Sequence, residues 1–300
     1  MSDTNSPGMN DPHYPPTFLR EIGDRPTEPA PVFDPALRQY AKAFRLGGLP
    51  ADTDDAEQAQ WDELQRSRSV AVLRALMGSG VGDALVLRGS WLLHVWFADA
   101  ARQPHDLDFV HTGDLDPEEF TARAISELVA DHECRRAGLL VEEIVGAAIW
   151  TYEKVQGQRL VVPWAVGHHN GAVQVDVTFD EEIPGALEQI EIDGTAVRTV
   201  SKETSLVWKL MWLITDMYPQ GKDLFDAVLL SRSTDIGAAA EAWLRAAVLA
   251  EWPGFTGNLL PDELWANHWE PFALEYPHLA AGTSPAALRD ELGRNLGLPH

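Results

Sequence analysis

A few short strings in this sequence carry side chains whose types and spacing could do chemistry. Asp106-Leu107-Asp108 puts two carboxylates at i and i+2, inside His105-Asp106-Leu107-Asp108-Phe109-Val110. Asp176 sits at the centre of Val173-Gln174-Val175-Asp176-Val177-Thr178-Phe179. Gly89-Ser90 lies between an apolar run and a helical segment. If the first string is a strand, Asp106 and Asp108 share one face, about 7 Å apart at the usual rise, and Leu107 and Phe109 share the other. Two such carboxylates repel unless a cation sits between them. Divalent magnesium suits them, because it takes hard oxygen ligands and bridges to phosphate. A Gly-Ser turn opening a helix presents backbone N–H groups that suit a phosphate. With Asp176 as a third carboxylate, two magnesium ions could activate a hydroxyl and stabilise charge on a transferring phosphoryl or nucleotidyl group. Plainer readings exist for each. Charged pairs are mostly solvated edges, and any tight strand-to-helix turn favours glycine.

The elements that must position these residues follow from pattern. Ala84 to Leu87 reads as a buried strand, and Leu92, Leu93, Trp96 and Phe97 follow at helical spacing. Residues 1–33 are rich in Pro, Asp, Asn and Thr and read as disordered or extended. Asp34-Pro35 resembles a helix start, with the helix running through Phe44 to Gly47-Gly48. A second helix spans about Ala56 to Met77. Asp116-Pro117-Glu118-Glu119 is a helix N-terminus, and that helix runs towards Arg136. Leu140–Tyr152, Arg159–Val166 and Ala172–Phe179 read as strands. After Gly194 the composition turns helical: Ser201–Met217, Lys222–Arg232 and Ile236–Ala250. The organisation is thus an extended segment to residue 33, an α/β domain with N-terminal helices over 34–200, and a helical domain over 201–300.

Composition excludes several classes. The 300 residues carry a formal charge of -23, which argues against broad polynucleotide binding but leaves room for a local basic pocket. A single cysteine, Cys134, cannot form an internal disulfide and fits a reducing cytoplasm. His168-His169 with Cys134 does not make a zinc set, since structural sites usually have four ligands. No apolar run reaches the roughly 18 residues of a membrane span. The N-terminal stretch lacks the basic start and apolar core of a signal peptide.

Gly-Ser, a short helix and then Asp-hydrophobic-Asp resemble the polymerase-β-like nucleotidyltransferases. In finer detail, residues 80–232 resemble the AbiEii toxin family of type IV toxin–antitoxin systems. Arg102 stands four residues before the first Asp. Lys209 lies in Ser205-Leu206-Val207-Trp208-Lys209-Leu210, and Lys222-Asp223-Leu224-Phe225-Asp226 matches a basic-Asp-hydrophobic-aromatic-Asp string. Pro104 departs from the family's usual Ser or Thr, and the gap from Ser90 to Asp106 is slightly long.

The resemblance implies a mixed sheet with helical additions. It also implies transfer of a nucleoside monophosphate from a nucleoside triphosphate to an acceptor hydroxyl, with release of pyrophosphate. Asp106, Asp108 and Asp176 would hold magnesium, two ions in all. Gly89, Ser90, Arg102, Lys209 and Asp223 would bind the nucleotide, and Lys209 and Asp226 would join the catalytic set. The family further implies a growth-inhibiting toxin, with some members acting on transfer RNA, and a cognate antitoxin encoded nearby.

Alternatives stay open at this level. Lys209 could instead be a snorkelling surface lysine, Asp226 an i,i+4 surface partner, and Arg102 the partner of a structural carboxylate. His105 reads as a neighbour of the carboxylates rather than a base. If RNA is the acceptor, Arg66, Arg68, Arg135, Arg136, Lys154 and Arg159 are candidates for a basic track. An acceptor that is a protein or small molecule would suit the acidity better, and a non-catalytic homologue that binds a nucleotide or a partner protein is a further alternative, disfavoured by the intact carboxylates.

Overall fold

The computed structural model describes residues 31–33, 44–46, 49, 53–104, 106–151, 155–216, 219–260 and 269–298. It divides into two compact units. The first comprises residues 1–87, 105–181 and 189–198, and the second residues 88–104, 182–188 and 199–300.

The first unit is built on a seven-stranded mixed sheet. Its strands are β3 (Leu85–Arg88), β4 (Asp106–His111), β5 (Val145–Thr151), β6 (Val155–Val166), β7 (His169–Phe179), β8 (Leu187–Ile192) and β9 (Thr195–Val200), in the order β5-β6-β7-β4-β3-β9-β8. A separate two-stranded ribbon pairs β1 (Pro31–Phe33) with β2 (Phe44–Leu46). β4 runs parallel to β7, and β5, β6 and β7 form an antiparallel meander. Leu107, Phe109, Val173, Val175 and Val177 are fully buried, as the alternation requires. Two helices that touch each other, α1 (Asp55–Met77) and α3 (Pro117–Ala130), pack on β4, β6 and β7. Asp54 caps α1 and Asp116 caps α3, each accepting from two backbone N–H groups.

The second unit is helical. α2 (Ser90–Phe97) follows β3 directly, and α5 (Lys202–Thr215), α6 (Gly221–Ser231), α7 (Ala238–Glu251) and the C-terminal helix Pro285–Asn295 supply most of its core. Ser201 caps α5 through its hydroxyl. The apolar spacing of Leu206, Leu210, Leu213 and Ile214 buries one stripe of α5.

The mixed sheet with helical additions is the architecture expected from sequence. Three local expectations are corrected. Phe44–Leu46 forms a strand paired with Pro31–Phe33, not the end of a helix, and residues 34–43 of that expected helix lie outside the described residues. The helix after Asp116 stops at Ala130, and Asp131 caps a second one, α4 (His132–Arg136). The stretch after Gly194 begins with β9 rather than a helix. Asp193 (φ 46°) and Gly194 (φ 78°) form the left-handed turn of a β8–β9 hairpin.

Candidate active site

Strand register brings the three candidate carboxylates together. Asp108 is level with Asp176 across the parallel β4–β7 pair, and Asp106 is level with Gln174. All lie on the face opposite Leu107 and Phe109, and all three aspartates are half-buried. One carboxylate oxygen from each of Asp106, Asp108 and Asp176 lies within 4.8 Å of the others. Charges this close in a half-buried setting repel strongly, so the arrangement favours a cation among them. The donors are all hard carboxylate oxygens, which fits magnesium rather than a metal that prefers nitrogen or sulfur.

A guanidinium not expected from sequence already stands beside the trio. Arg159 on β6 is level with Asp176, and its Nε and Nη2 donate to the two Asp176 oxygens at 2.8 and 2.7 Å. This is a bidentate fork, and it fixes the carboxylate plane. Gln174 Nε2 donates to the same carboxylate at 3.1 Å. Asp176 is therefore oriented from two sides. Pairing Gly157-Gln158-Arg159 with the Val173–Phe179 string would have found the Arg159 contact. Arg159, one of the residues expected in a basic track, is instead only 4% exposed and paired with Asp176. His105, the expected neighbour, lies outside the described residues.

The second unit gathers a different set. Arg102 Nε and Nη2 donate to Asp226 at 3.2–3.3 Å. Lys209 Nζ donates to Asp223 at 2.7 Å and pairs with Asp226 at 3.0 Å. All four are buried, Asp226 completely. The surface readings of Lys209 and Asp226 are thereby set aside. Burial alone would depress the Lys209 ammonium, but Asp223 and Asp226 hold it above its ordinary value. Burial would raise Asp226, but Arg102 and Lys209 hold it below the usual carboxylate range. Two of the three Lys209 donors are thus engaged by carboxylates.

In the same unit Gly89 precedes the first residue of α2, with φ 78° and ψ -153°. Only glycine adopts that conformation readily. Ser90 opens the helix; its hydroxyl is buried and has no hydrogen-bond partner among the described residues. A buried hydroxyl in that state costs stability unless a ligand supplies the bond. Arg88, the last residue of β3, lies over the rings of Trp208 and Trp212 at 5.3 and 5.7 Å. This packing had no counterpart in the sequence reading.

The remaining candidates for a basic track are engaged within the first unit. Arg66 pairs with Glu63 and Asp193, Arg135 with Glu142, and Arg136 with Glu133. Arg68 donates to the Ala137 carbonyl. Lys154 lies outside the described residues.

A mixed sheet whose parallel strands bring three carboxylates together is the arrangement expected of a nucleotidyltransferase. Residues 71–287 match the family described as nucleotidyl transferase AbiEii toxin, type IV TA system, and the chain belongs to that family. Solved structures give weaker likenesses. A candidate nucleotidyltransferase from H. pylori is 16% identical with a TM-score of 0.46, covering 81% of this chain and 94% of its own. JHP933 from Helicobacter pylori is 15% identical with a TM-score of 0.40, covering 78% and 94%. An antigenic nucleotidyltransferase-like protein from Paracoccidioides brasiliensis is 14% identical with a TM-score of 0.40, covering 66% and 92%. No curated protein matches the chain. Among the described residues no helix is long and apolar enough to cross a membrane.

Proposed function

We propose that this protein transfers a nucleoside monophosphate from a nucleoside triphosphate to an acceptor hydroxyl. The oxygen–α-phosphorus bond forms, the bond from α-phosphorus to the bridging oxygen breaks, and pyrophosphate leaves. The observation that carries this reading is the carboxylate trio of β4 and β7, with ligand atoms within 4.8 Å of one another on one sheet face. Asp106, Asp108 and Asp176 would hold magnesium, two ions in the family pattern. When bound, those ions supply Lewis-acid stabilisation of the transferring group and lower the pKa of the attacking hydroxyl. Asp176, fixed by Arg159 and Gln174, orients that hydroxyl.

The nucleotide roles come from the family motifs. Gly89 and Ser90 take phosphate oxygens of the triphosphate tail, through the N-terminal amides of α2 and the Ser90 hydroxyl. Among the described residues two Lys209 donors are engaged by aspartates, and the third is assigned to the same tail. Arg102, Asp223 and Asp226 hold that lysine in place.

Membership of a toxin family supports a growth-inhibiting role in the cytoplasm, a cognate antitoxin and transfer RNA as acceptor. A second reading, with a protein or small-molecule acceptor, is favoured by the net charge of -23 and by the internal pairing of the described basic candidates. Incubation with each α-labelled triphosphate and magnesium, with and without total RNA or cell protein, separates the readings. Label in RNA supports the first acceptor and label in protein or a small molecule the second. An absence of label in all fractions, with every triphosphate, overturns the transferase reading.

A further inference from the structure

A second cluster of ligating side chains lies in the first unit, on residues that play no part in the proposed transfer. β6 and β7 are joined by the two-residue turn Gly167-His168, with Gly167 at φ 63°. A primed turn of this kind keeps the hairpin tight. It also sets two successive histidines side by side: the rings of His168 and His169 have centroids 3.9 Å apart and planes inclined by 38°. Glu57, in the first turn of α1, brings its carboxylate to the same place, with Oε1 4.0 Å from His169 Nε2. One ligand atom from each of Glu57, His168 and His169 lies within 4.8 Å of the others.

Glu57 does not reach this position by chance rotation. Glu57, Trp61 and Gln65 are spaced i, i+4 and i+8, so they share one stripe of α1. Trp61 Nε1 donates to the Asn170 carbonyl at 2.9 Å, and Gln65 Nε2 to the Ala172 carbonyl at 2.9 Å. Gln65 Oε1 in turn accepts from Trp164 Nε1 at 2.7 Å. These bonds lock the register of helix against hairpin, and the next position up the stripe is Glu57, facing His169.

We propose that Glu57, His168 and His169 form a binding site for a divalent transition-metal ion of the imidazole-preferring class, with zinc as its reference ion. Two imidazole nitrogens and one carboxylate oxygen are a common three-ligand zinc set, which leaves a fourth position for water or another donor. The same donors are a poor match for magnesium, so the site is chemically distinct from the all-carboxylate trio. Tetrahedral zinc, at about 2.0–2.1 Å from each donor, needs donor atoms about 3.3 Å apart. His168 is exposed and Glu57 half-buried, so rotation of these two can close the remaining gap while buried His169 stays fixed. The bound ion clips the N-terminal turn of α1 to the hairpin, linking positions more than a hundred residues apart in the chain. An ion that binds only the folded state also stabilises it by mass action.

The test uses the full chain, free of affinity tag and stripped with chelator, titrated with zinc alone. Stoichiometry is read by equilibrium dialysis with elemental analysis, and affinity by calorimetry. One zinc should bind per chain, and an Asp106→Asn/Asp108→Asn variant should bind it equally well. His168→Ala and Glu57→Gln should each weaken binding by at least about tenfold. Zinc at one fixed concentration should raise the Tm of the wild type by more than that of His168→Ala. His168 is exposed and Glu57→Gln is isosteric, so both variants should fold, with circular dichroism as the check. Zinc uptake by wild type no tighter than by His168→Ala, or binding lost in the Asp106→Asn/Asp108→Asn variant, would overturn the assignment. The readout is metal binding, so failure of the transferase reading leaves it standing.

Discussion

Each unit holds a cluster of charged side chains, and the two are balanced differently. In the helical unit Arg102 and Lys209 meet Asp223 and Asp226, two positive charges against two negative, all buried. In the sheet unit one carboxylate oxygen from each of Asp106, Asp108 and Asp176 converges within 4.8 Å, with Arg159 paired to Asp176 and the carboxylates half-buried. Burying charge is costly unless it is paired, so a closed, neutral set is what folding alone would select. A half-open set in which three carboxylates converge is costly for folding alone. It is well explained by a divalent cation. The lesson is that sequence motifs of equal standing can serve different ends. The carboxylate trio converges as a cation site would, whereas the four-residue network pairs two positive with two negative side chains and holds Lys209 in place.

The largest effect should come from the trio. Asp108→Asn is expected to lower nucleotidyl transfer by about 10³-fold or more, roughly 4 kcal/mol in the barrier. Its stability in urea should match or exceed wild type, because one of three mutually repelling charges is gone. Near-wild-type transfer would break the distinction on the active side, and a large loss of stability would break it on the structural side.

The network should behave in the opposite way. Lys209→Met leaves Asp223 and Asp226 buried with less compensation, and should cost about 3–5 kcal/mol of stability by chemical denaturation. A loss within about 0.5 kcal/mol, with weaker triphosphate binding, would instead make Lys209 a phosphate contact above all. pH sharpens the same test. Lys209 is held above its ordinary 10.5, so its contribution is complete below that value and is lost as pH rises through the higher folded value. Asp226 is held below its ordinary 3.8, so its contribution is complete above that value and is lost as pH falls through the lower folded value. The network should therefore hold from about pH 4 to about pH 10.

What was legible in the sequence follows from the range of the interactions. Alternation in β4 and β7 is local, so the shared face of Asp106 and Asp108 and the inward valines of the Asp176 strand were readable directly. The helix cap at Asp116 was equally local. The Arg159–Asp176 fork depends on strand register between segments seventeen residues apart, which pattern alone leaves open. The Arg102–Asp226 contact spans 124 positions, and Lys222-Asp223-Leu224-Phe225-Asp226 reads by itself as a surface helix. The β8–β9 hairpin was missed because β8 is an edge strand with mostly exposed residues and little apolar alternation. Its Asp193-Gly194 turn was the signal that could have revealed it.

A smaller effect tests the turn before α2. Gly89→Ala places a side chain at φ 78° and ψ -153°, and should cost about 1–3 kcal/mol. If Gly89 only turns the chain, triphosphate affinity measured well below the unfolding transition should survive in this variant. If its amide approaches phosphate, affinity should fall with it. Calorimetric titration with magnesium and triphosphate distinguishes the two.

The smallest expected effect lies in the sheet unit, away from both clusters. His111 ends β4 with its ring buried between Phe120 and Phe179, at centroid distances of 5.3 and 5.0 Å. Burial pushes this imidazole below its ordinary 6.5, against the opposing pull of Asp114 and Asp180. On acidification the unfolded chain therefore takes up this proton before the folded one does. His111 contributes stability that is complete above the ordinary value and is lost as pH falls through the depressed folded value. Wild type should accordingly lose stability as pH falls below the ordinary 6.5 and through the depressed folded value. His111→Phe keeps the aromatic packing and removes the proton site, so its urea midpoint should change less over that interval. Equal slopes in the two proteins would show that the buried ring plays no part in the acid limb of the sheet unit.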